Sequence, residues 1–401
     1  MWRMRRRSFS LFELAHLPKQ VKIMSFLMFV YFLGWGISMP FLPIYMKEIL
    51  GSYTKVGLIT GLLYFLGIIW NIVLGSISDK VSRKKMIALT LFLYLPMGPI
   101  ILMLKNFFDF VLYQLYHSFT ASSIWISSES FVRAHSPKRK TSESMGLFDM
   151  SWITSVVIGA ALSGFLFLKF GFLIFLSISF FAGLALLIST TIKDKKGKGL
   201  LSSTKEVIVR EKVVKGGVFE FLKNRELLKL SIFSFFLLFS FGCLDMLIPL
   251  FSKSLHATPV ETGLLFALFF LPRVSEGYFS ILADKYGKKQ ILIKGLVACF
   301  VFFTLLFLFN GLLFLFIFTF LLSLFGISVV LPPIMGRTTE LIPKKKMGKM
   351  VGVVKSFSAL STGLSPIVAG IIGDVFGLRY VFLLGSVITL CLIFWSVKLK
   401  I

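Results

Sequence analysis

GSISDKVSRKK, residues 75–85, places five charges in its last seven positions, directly after the run GLLYFLGIIWNIVL, which has none. The same sense returns 205 positions later in SILADKYGKKQ, residues 280–290, again at the end of an oily stretch. A small charged cluster that closes two apolar segments at corresponding places in one chain raises the question of what those segments are.

Composition answers it. The chain is 56% hydrophobic and 16% aromatic, has 47 phenylalanines, and reaches a mean hydropathy of +0.88, well outside ordinary soluble usage. Such a chain belongs in lipid. A spanning helix needs roughly 20 mostly apolar residues, because ~30 Å of hydrocarbon must be crossed with every backbone group bonded internally. Twelve segments qualify, at about 23–46, 55–78, 86–104, 107–132, 144–168, 172–192, 230–252, 259–282, 291–309, 311–336, 349–372 and 377–397. The expected fold class is an all-α polytopic membrane protein with twelve transmembrane helices.

Charge sets the orientation. The net charge of +26 is carried by basic residues that alternate with apolar spans instead of gathering on one soluble face, which argues against a nucleic-acid partner. Of the 44 Lys and Arg, 36 fall on one side: before span one, in the loops after the even-numbered spans, and at the C-terminus. Six fall on the other side (Lys47, Lys55, Lys105, Lys169, Lys253 and Arg379) and two within spans. The positive-inside rule then puts both termini and the long middle loop in the cytoplasm of a cell membrane. Cys243, Cys299 and Cys391 all fall in spans, so no disulfide framework is indicated. MWRMRRR is basic enough for a signal peptide, but no small-residue cleavage site follows the apolar run, which is expected to stay as the first helix. SFSLFELAHLPK reads either as an amphipathic surface piece or as a plain tail.

The organisation is two halves of six: an N-terminal segment 1–22, a bundle 23–192, a basic linker 193–229 opening with KDKKGKG, and a second bundle 230–401. LPIYMKEIL near the end of span one echoes IPLFSKSL near the end of span seven, and SESMGLFDMSW opening span five echoes GKMVGVVKSFS opening span eleven. Internal repeats of this kind build many secondary transporters.

At these residues the chain resembles the major facilitator superfamily. Gly75, Asp79, Lys80, Ser82, Arg83, Lys84 and Lys85 match its signature after span two, and Asp284, Lys285, Gly287, Lys288 and Lys289 match the second-half copy, with Ser280 where a glycine is usual. Other family elements are eroded. His117 stands where the fourth-span arginine is usual; the fifth-span antiporter element reads Gly159-Ala160-Ala161-Leu162-Ser163-Gly164 without its proline; Ser365 to Gly370 keeps the proline, as Pro366. The resemblance implies two pseudo-symmetric six-helix bundles and transport by alternating access, with no enzyme activity, cofactor or metal.

It also implies a role for the cluster. In the family, the aspartate after span two faces the start of the eleventh helix, whose free N–H groups favour an anion by ~0.3–1 kcal/mol. Asp79 is therefore expected to meet the start of span eleven, near Lys355, while Asp284 and Lys288 meet the start of span five, near Asp149. Two latches between the halves would then hold the cytoplasmic side shut when the cavity opens outward; the alternative is that these charges only anchor the loops. Glu129 and Arg133, four apart, share a helix face and can bond each other or Arg83.

Intramembrane charge is costly and defaults to function. Asp245, shortly before Pro249 in span seven, is the first candidate for carrying a coupling proton. Arg273 and Glu276 in span eight are spaced to pair, with Asn71 the counterpart of Glu276 in span two. His117 is a third titratable candidate. Only Asn71 and Gln114 offer amides well inside the spans, which argues against a highly hydroxylated solute; Trp35, Trp70, Tyr113, Trp125 and Trp152 offer aromatic surface. The reading is a monomeric, proton-coupled exporter of a hydrophobic compound, neutral or cationic. Uptake of a small metabolite or organic anion, and a non-transporting receptor or scaffold, are the competing readings.

Overall fold

The computed structural model describes residues 16–78, 81–137, 140–193, 221, 223–342 and 347–399. Within them the chain forms twelve helical rods and no strand. In the first half these are Lys19–Ser38 with Leu42–Leu50, Tyr53–Ser78, Arg83–Tyr94 with Met97–Met103, Phe107–His135, Thr141–Phe170, and Leu176–Ser189. The second half has Arg225–Gly242 with Leu244–Ser254, Pro259–Phe270 continuing into Glu276–Tyr286, Lys288–Leu308, Leu312–Ser323 continuing into Leu331–Leu341, Met347–Val375, and Arg379–Lys398. These are spans one to twelve, each within a few residues of its expected place.

Breaks fall where the local chemistry requires them. Span three interrupts at Leu95-Pro96, where the ring removes a backbone donor. Span eight passes through a 3-10 turn, Leu271–Ser275, that contains Pro272, and span ten through a π-helical stretch, Leu324–Val330, ahead of Pro332 and Pro333. Nine stretches of the described residues are long and apolar enough to cross a membrane by composition, and one of them, Thr141–Ser189, holds both rods five and six. Rods four and eight fall outside that set. The first carries the polar run TASSIWISSES and the second Arg273, Glu276, Asp284 and Lys285, which lowers the apolar content of both.

The duplication is visible atom by atom. The Ser155 hydroxyl donates to the Phe29 carbonyl, and 206 positions on, the Ser361 hydroxyl donates to the Phe235 carbonyl; both contacts span 126 residues. Gly36 packs on the backbone of Val156, and its equivalent Gly242 on that of Thr362. In each half, therefore, the first and fifth rods touch through small residues and a hydroxyl, which is how helices associate where lipid removes the hydrophobic drive between them.

The same small residues join the halves. Gly57 lies on the carbonyl of Pro366 and Gly370 on that of Tyr53; in the symmetric contact Gly263 lies on Ala160 and Gly164 on Pro259. The glycine-rich remnants read from spans five and eleven are thus interface residues. All four contacts sit near the ends of the rods opposite the termini, which we call the far side. Two polar contacts reinforce them. The Lys253 ammonium pairs with Glu48, between the ends of spans seven and one. Asp374, at the end of span eleven, accepts from Ser52 Oγ (2.5 Å), Tyr53 N (2.8 Å) and Thr54 N (2.8 Å), capping the start of span two. Closer to the basic side, beyond the contact of Gly61 with Gly363, many of the described residues of spans two, five, eight and eleven are partly or fully exposed. The cleft between the halves opens toward the side that carries the termini.

Candidate functional site

The floor of this cleft is an ion pair between spans seven and eight. Span seven breaks at Cys243 and restarts at Leu244, which puts Asp245 in the first turn of a new helix. Arg273 comes from the 3-10 turn of span eight, and its Nη2 lies 3.7 Å from Asp245 Oδ1. Its guanidinium stands 4.0 Å from the ring centre of Phe270 and 4.9 Å from that of Phe269, a cation–π clamp. Tyr64, from span two in the other half, is within electrostatic range of both charges.

The expected pairing of Arg273 with Glu276 is corrected here. Helical side chains lean toward the N-terminus, so Arg273 lies back over the two phenylalanines and reaches Asp245, while Glu276 opens a fresh helix. Glu276 makes no hydrogen bond or close ion pair among the described residues. Its charged neighbours are Arg273 and, from the opposite half, Asp149. Asp149 in turn is in electrostatic range of Glu129, Arg133 and Lys355, and lies beside the buried indole N–H of Trp152. Charges from spans four, five, eight and eleven therefore line the cleft above the Asp245–Arg273 floor.

Aromatic residues divide into two groups. Trp125 and Trp152, both half-buried, pack edge-on to each other at 5.7 Å between centroids and join Phe32, forming a wall beside Asp149. Trp35 is buried, donates to Tyr31 Oη at 3.0 Å and stacks on His117 at 4.5 Å. His117 is itself buried, with Nδ1 3.2 Å from Gln114 Oε1 and a second ring, Tyr113, at 5.5 Å. These two residues belong to the core of the first bundle. Asn71 is exposed, and Trp70 donates to Ser118 Oγ at 3.1 Å.

Of the residues assigned to the charged cluster, Asp79 and Lys80 lie outside the described residues, as does the side chain of Asp284; Gly75 lies in the last turn of the helix Tyr53–Ser78. The bonds described for the others fall within their own half. Arg83 Nε donates to Ser130 Oγ at 3.2 Å, and the Lys84 ammonium donates to the carbonyls of Thr190 and Ile192, each at 2.7 Å. In the second copy the Lys289 ammonium donates to the carbonyls of Val397 (2.7 Å) and Leu399 (3.0 Å). Lys288, expected near span five, pairs with Glu340 of span ten, which also takes Arg337 at 3.1 Å. Lys285 is exposed over the Tyr286 ring, and Gly287 supplies the positive φ of 93° that turns span eight into span nine. The Glu129–Arg133 pair forms at 2.6 Å, and Lys355 is exposed.

Sequence reasoning missed Tyr64, the Phe269–Phe270 clamp and the Asp374 cap. The first two carry no signal among so many aromatics. The third was legible in part, since Ser52 and Thr54 flank the start of a span, but nothing local names a partner 320 residues away.

A duplicated twelve-rod bundle, sealed at one end and lined with sparse charge between its halves, has the architecture of a secondary transporter. The chain belongs to the Major Facilitator Superfamily, whose model matches residues 24–271 and 230–400, and it is a transporter rather than an enzyme. It is 24% identical over 387 residues to a multi-drug resistance efflux pump PmrA homolog of Lactococcus lactis, covering 91% of each chain. It is also 22% identical over 148 residues to the quinolone resistance protein NorA of Staphylococcus aureus, covering 37% of this chain and 38% of that one. The crystal structure of the nucleoside transporter NupG shares the fold, with a TM-score of 0.75, 15% identity, and 95% of this chain and 99% of that one covered.

Proposed function

We propose that the chain exports a hydrophobic small molecule in exchange for protons, working as a monomer in the cell membrane with both termini in the cytoplasm. Export is supported by the similarity to an efflux pump along nearly the whole chain and to a drug-resistance protein over part of it. The basic side is then the cytoplasmic side, and the cleft faces the cytoplasm.

The observation that carries proton coupling is the pair Asp149 and Glu276. One comes from each half, they lie within electrostatic range, and neither is neutralised by a close cation. Two ionised carboxylates facing each other across the cleft repel, and poorly screened surroundings strengthen that repulsion. Ionised, the pair favours a cytoplasmic side held open. A proton, or a cationic substrate seated between the carboxylates, removes the repulsion and lets that side close. Arg133, Glu129, Arg273 and Lys355 set the background field around the two carboxylates. Asp245, assigned the coupling proton on sequence grounds, has Arg273 as its charged neighbour, at 3.7 Å. The aromatic wall of Trp125, Trp152 and Phe32 supplies apolar contact for the cargo.

The test uses spin labels at the cytoplasmic ends of spans four and ten. Neutralising the pair, with Asp149→Asn and Glu276→Gln, is expected to shorten the distance toward the closed state at neutral pH and to abolish its response to acidification. An unchanged, still acid-responsive distance would contradict the coupling role.

A further inference from the structure

The floor ion pair is built loosely. At 3.7 Å the Arg273–Asp245 contact is beyond hydrogen-bond length, whereas a paired guanidinium and carboxylate normally close to about 2.7–2.9 Å. Both partners keep an unsatisfied buried atom: Asp245 Oδ1 and Arg273 Nε have no hydrogen-bond partner. The side chains remain 32% and 17% exposed, so the pair is reachable from the cleft. Phe269 and Phe270 stand against the guanidinium, and Asp245 projects from the first turn of the helix that restarts after Cys243. Because the two charges do not close on each other, the exposed edge of each keeps hydrogen-bonding capacity that a ligand entering from the cleft can use.

We propose that Asp245 and Arg273 form an amphoteric subsite, selecting substrates that carry an ammonium and a carboxylate close together on an aromatic body. This deepens the export reading and rests on its premise that the cleft is the substrate path. A cation alone meets Asp245 but also the permanent charge of Arg273, and an anion alone meets the reverse. A zwitterion satisfies both charges, with Phe270, Phe269 and Tyr64 around its apolar part. The sequence reading of a neutral or cationic cargo is narrowed accordingly.

Three isosteric probes test it on the full chain in nanodiscs at neutral pH: naphthylalanine, naphthylethylamine and naphthylpropionic acid, with binding read by calorimetry. Naphthylalanine is expected to bind at least tenfold more tightly than either single-charge analogue. Asp245→Asn should shift the preference toward the acid and Arg273→Gln toward the amine. The charge-swapped double variant, Asp245→Arg with Arg273→Asp, should keep the zwitterion preference and so guards against misfolding of the single variants. Equal binding of amine and zwitterion, or a preference unmoved by both single substitutions, overturns the subsite and leaves export standing. Failure of a proton gradient to move any of the three probes in vesicles of the same protein overturns the export reading instead.

Discussion

Lys84 and Lys289, equivalent residues of the two charged clusters, make the same contact in opposite halves: each ammonium donates to two backbone carbonyls at the end of the last helix of its own bundle. A cation at a helix C-terminus satisfies carbonyls that have no intrahelical partner and complements the helix dipole. Part of the duplicated cluster is thus a clasp that closes each six-helix bundle on itself. Each of Lys84→Ala and Lys289→Ala is expected to cost ~1 kcal/mol, from a charge-assisted hydrogen bond in partly exposed surroundings. The two losses should add, because the sites are far apart. Denaturation of the purified protein in detergent checks this; a single variant as damaging as the pair would mean that the clasps are not independent.

Asp374 bridges the halves at the far side through three hydrogen bonds to residues 52–54. Removing an N-cap acceptor costs ~1 kcal/mol, and here the loss falls only on the state in which the far side is sealed. Asp374→Ala is therefore expected to raise the outward-open population several-fold, read as faster labelling of a cysteine placed in the cleft by an impermeant reagent added outside. Labelling at the wild-type rate would show that the cap is not a determinant of the seal.

Gly57 and Gly263 let the halves touch backbone to backbone. A methyl group at Gly263 would come within 2.7 Å of the Ala160 carbonyl, closer than real contacts allow, and at Gly57 the approach to Pro366 is closer still. Gly57→Ala and Gly263→Ala are expected to fold, because both positions are helical, but to resist closing the far side, so transport should drop at least tenfold while expression holds. Normal transport in either variant would place the seal elsewhere.

His117 is enclosed by Trp35, Tyr113 and Gln114. His117→Gln should lower stability modestly and leave the pH profile of transport unchanged. A displaced profile would return His117 to the proton path.

The twelve spans and their pseudo-symmetry were legible because the bilayer imposes one length and one composition on every rod, and because duplication leaves matched sequence at matched places. The Glu129–Arg133 pair was legible because it lies within one unbroken helix. The partner of Arg273 was not: the break at Cys243, the turn at Leu271–Ser275 and the phenylalanine clamp together decide where the guanidinium goes, and none of them follows from i, i+3 spacing. Lys288 was assigned across the halves because only the family pattern was available, and its bond to Glu340 depends on how spans nine and ten pack. Asp149 and Lys355, 206 positions apart, occupy corresponding places in spans five and eleven and lie within electrostatic range of each other, while their expected partners Asp79 and the Asp284 side chain lie outside the described residues.

Proton-coupled export is tested most directly by reconstituting the chain in proteoliposomes, imposing a pH gradient, and following naphthylalanine and lumenal pH together. The account expects naphthylalanine to move against the proton flux, with Glu276→Gln uncoupling the two and passive exchange persisting. Movement of the compound at the same rate with and without the gradient in the unaltered protein would contradict it.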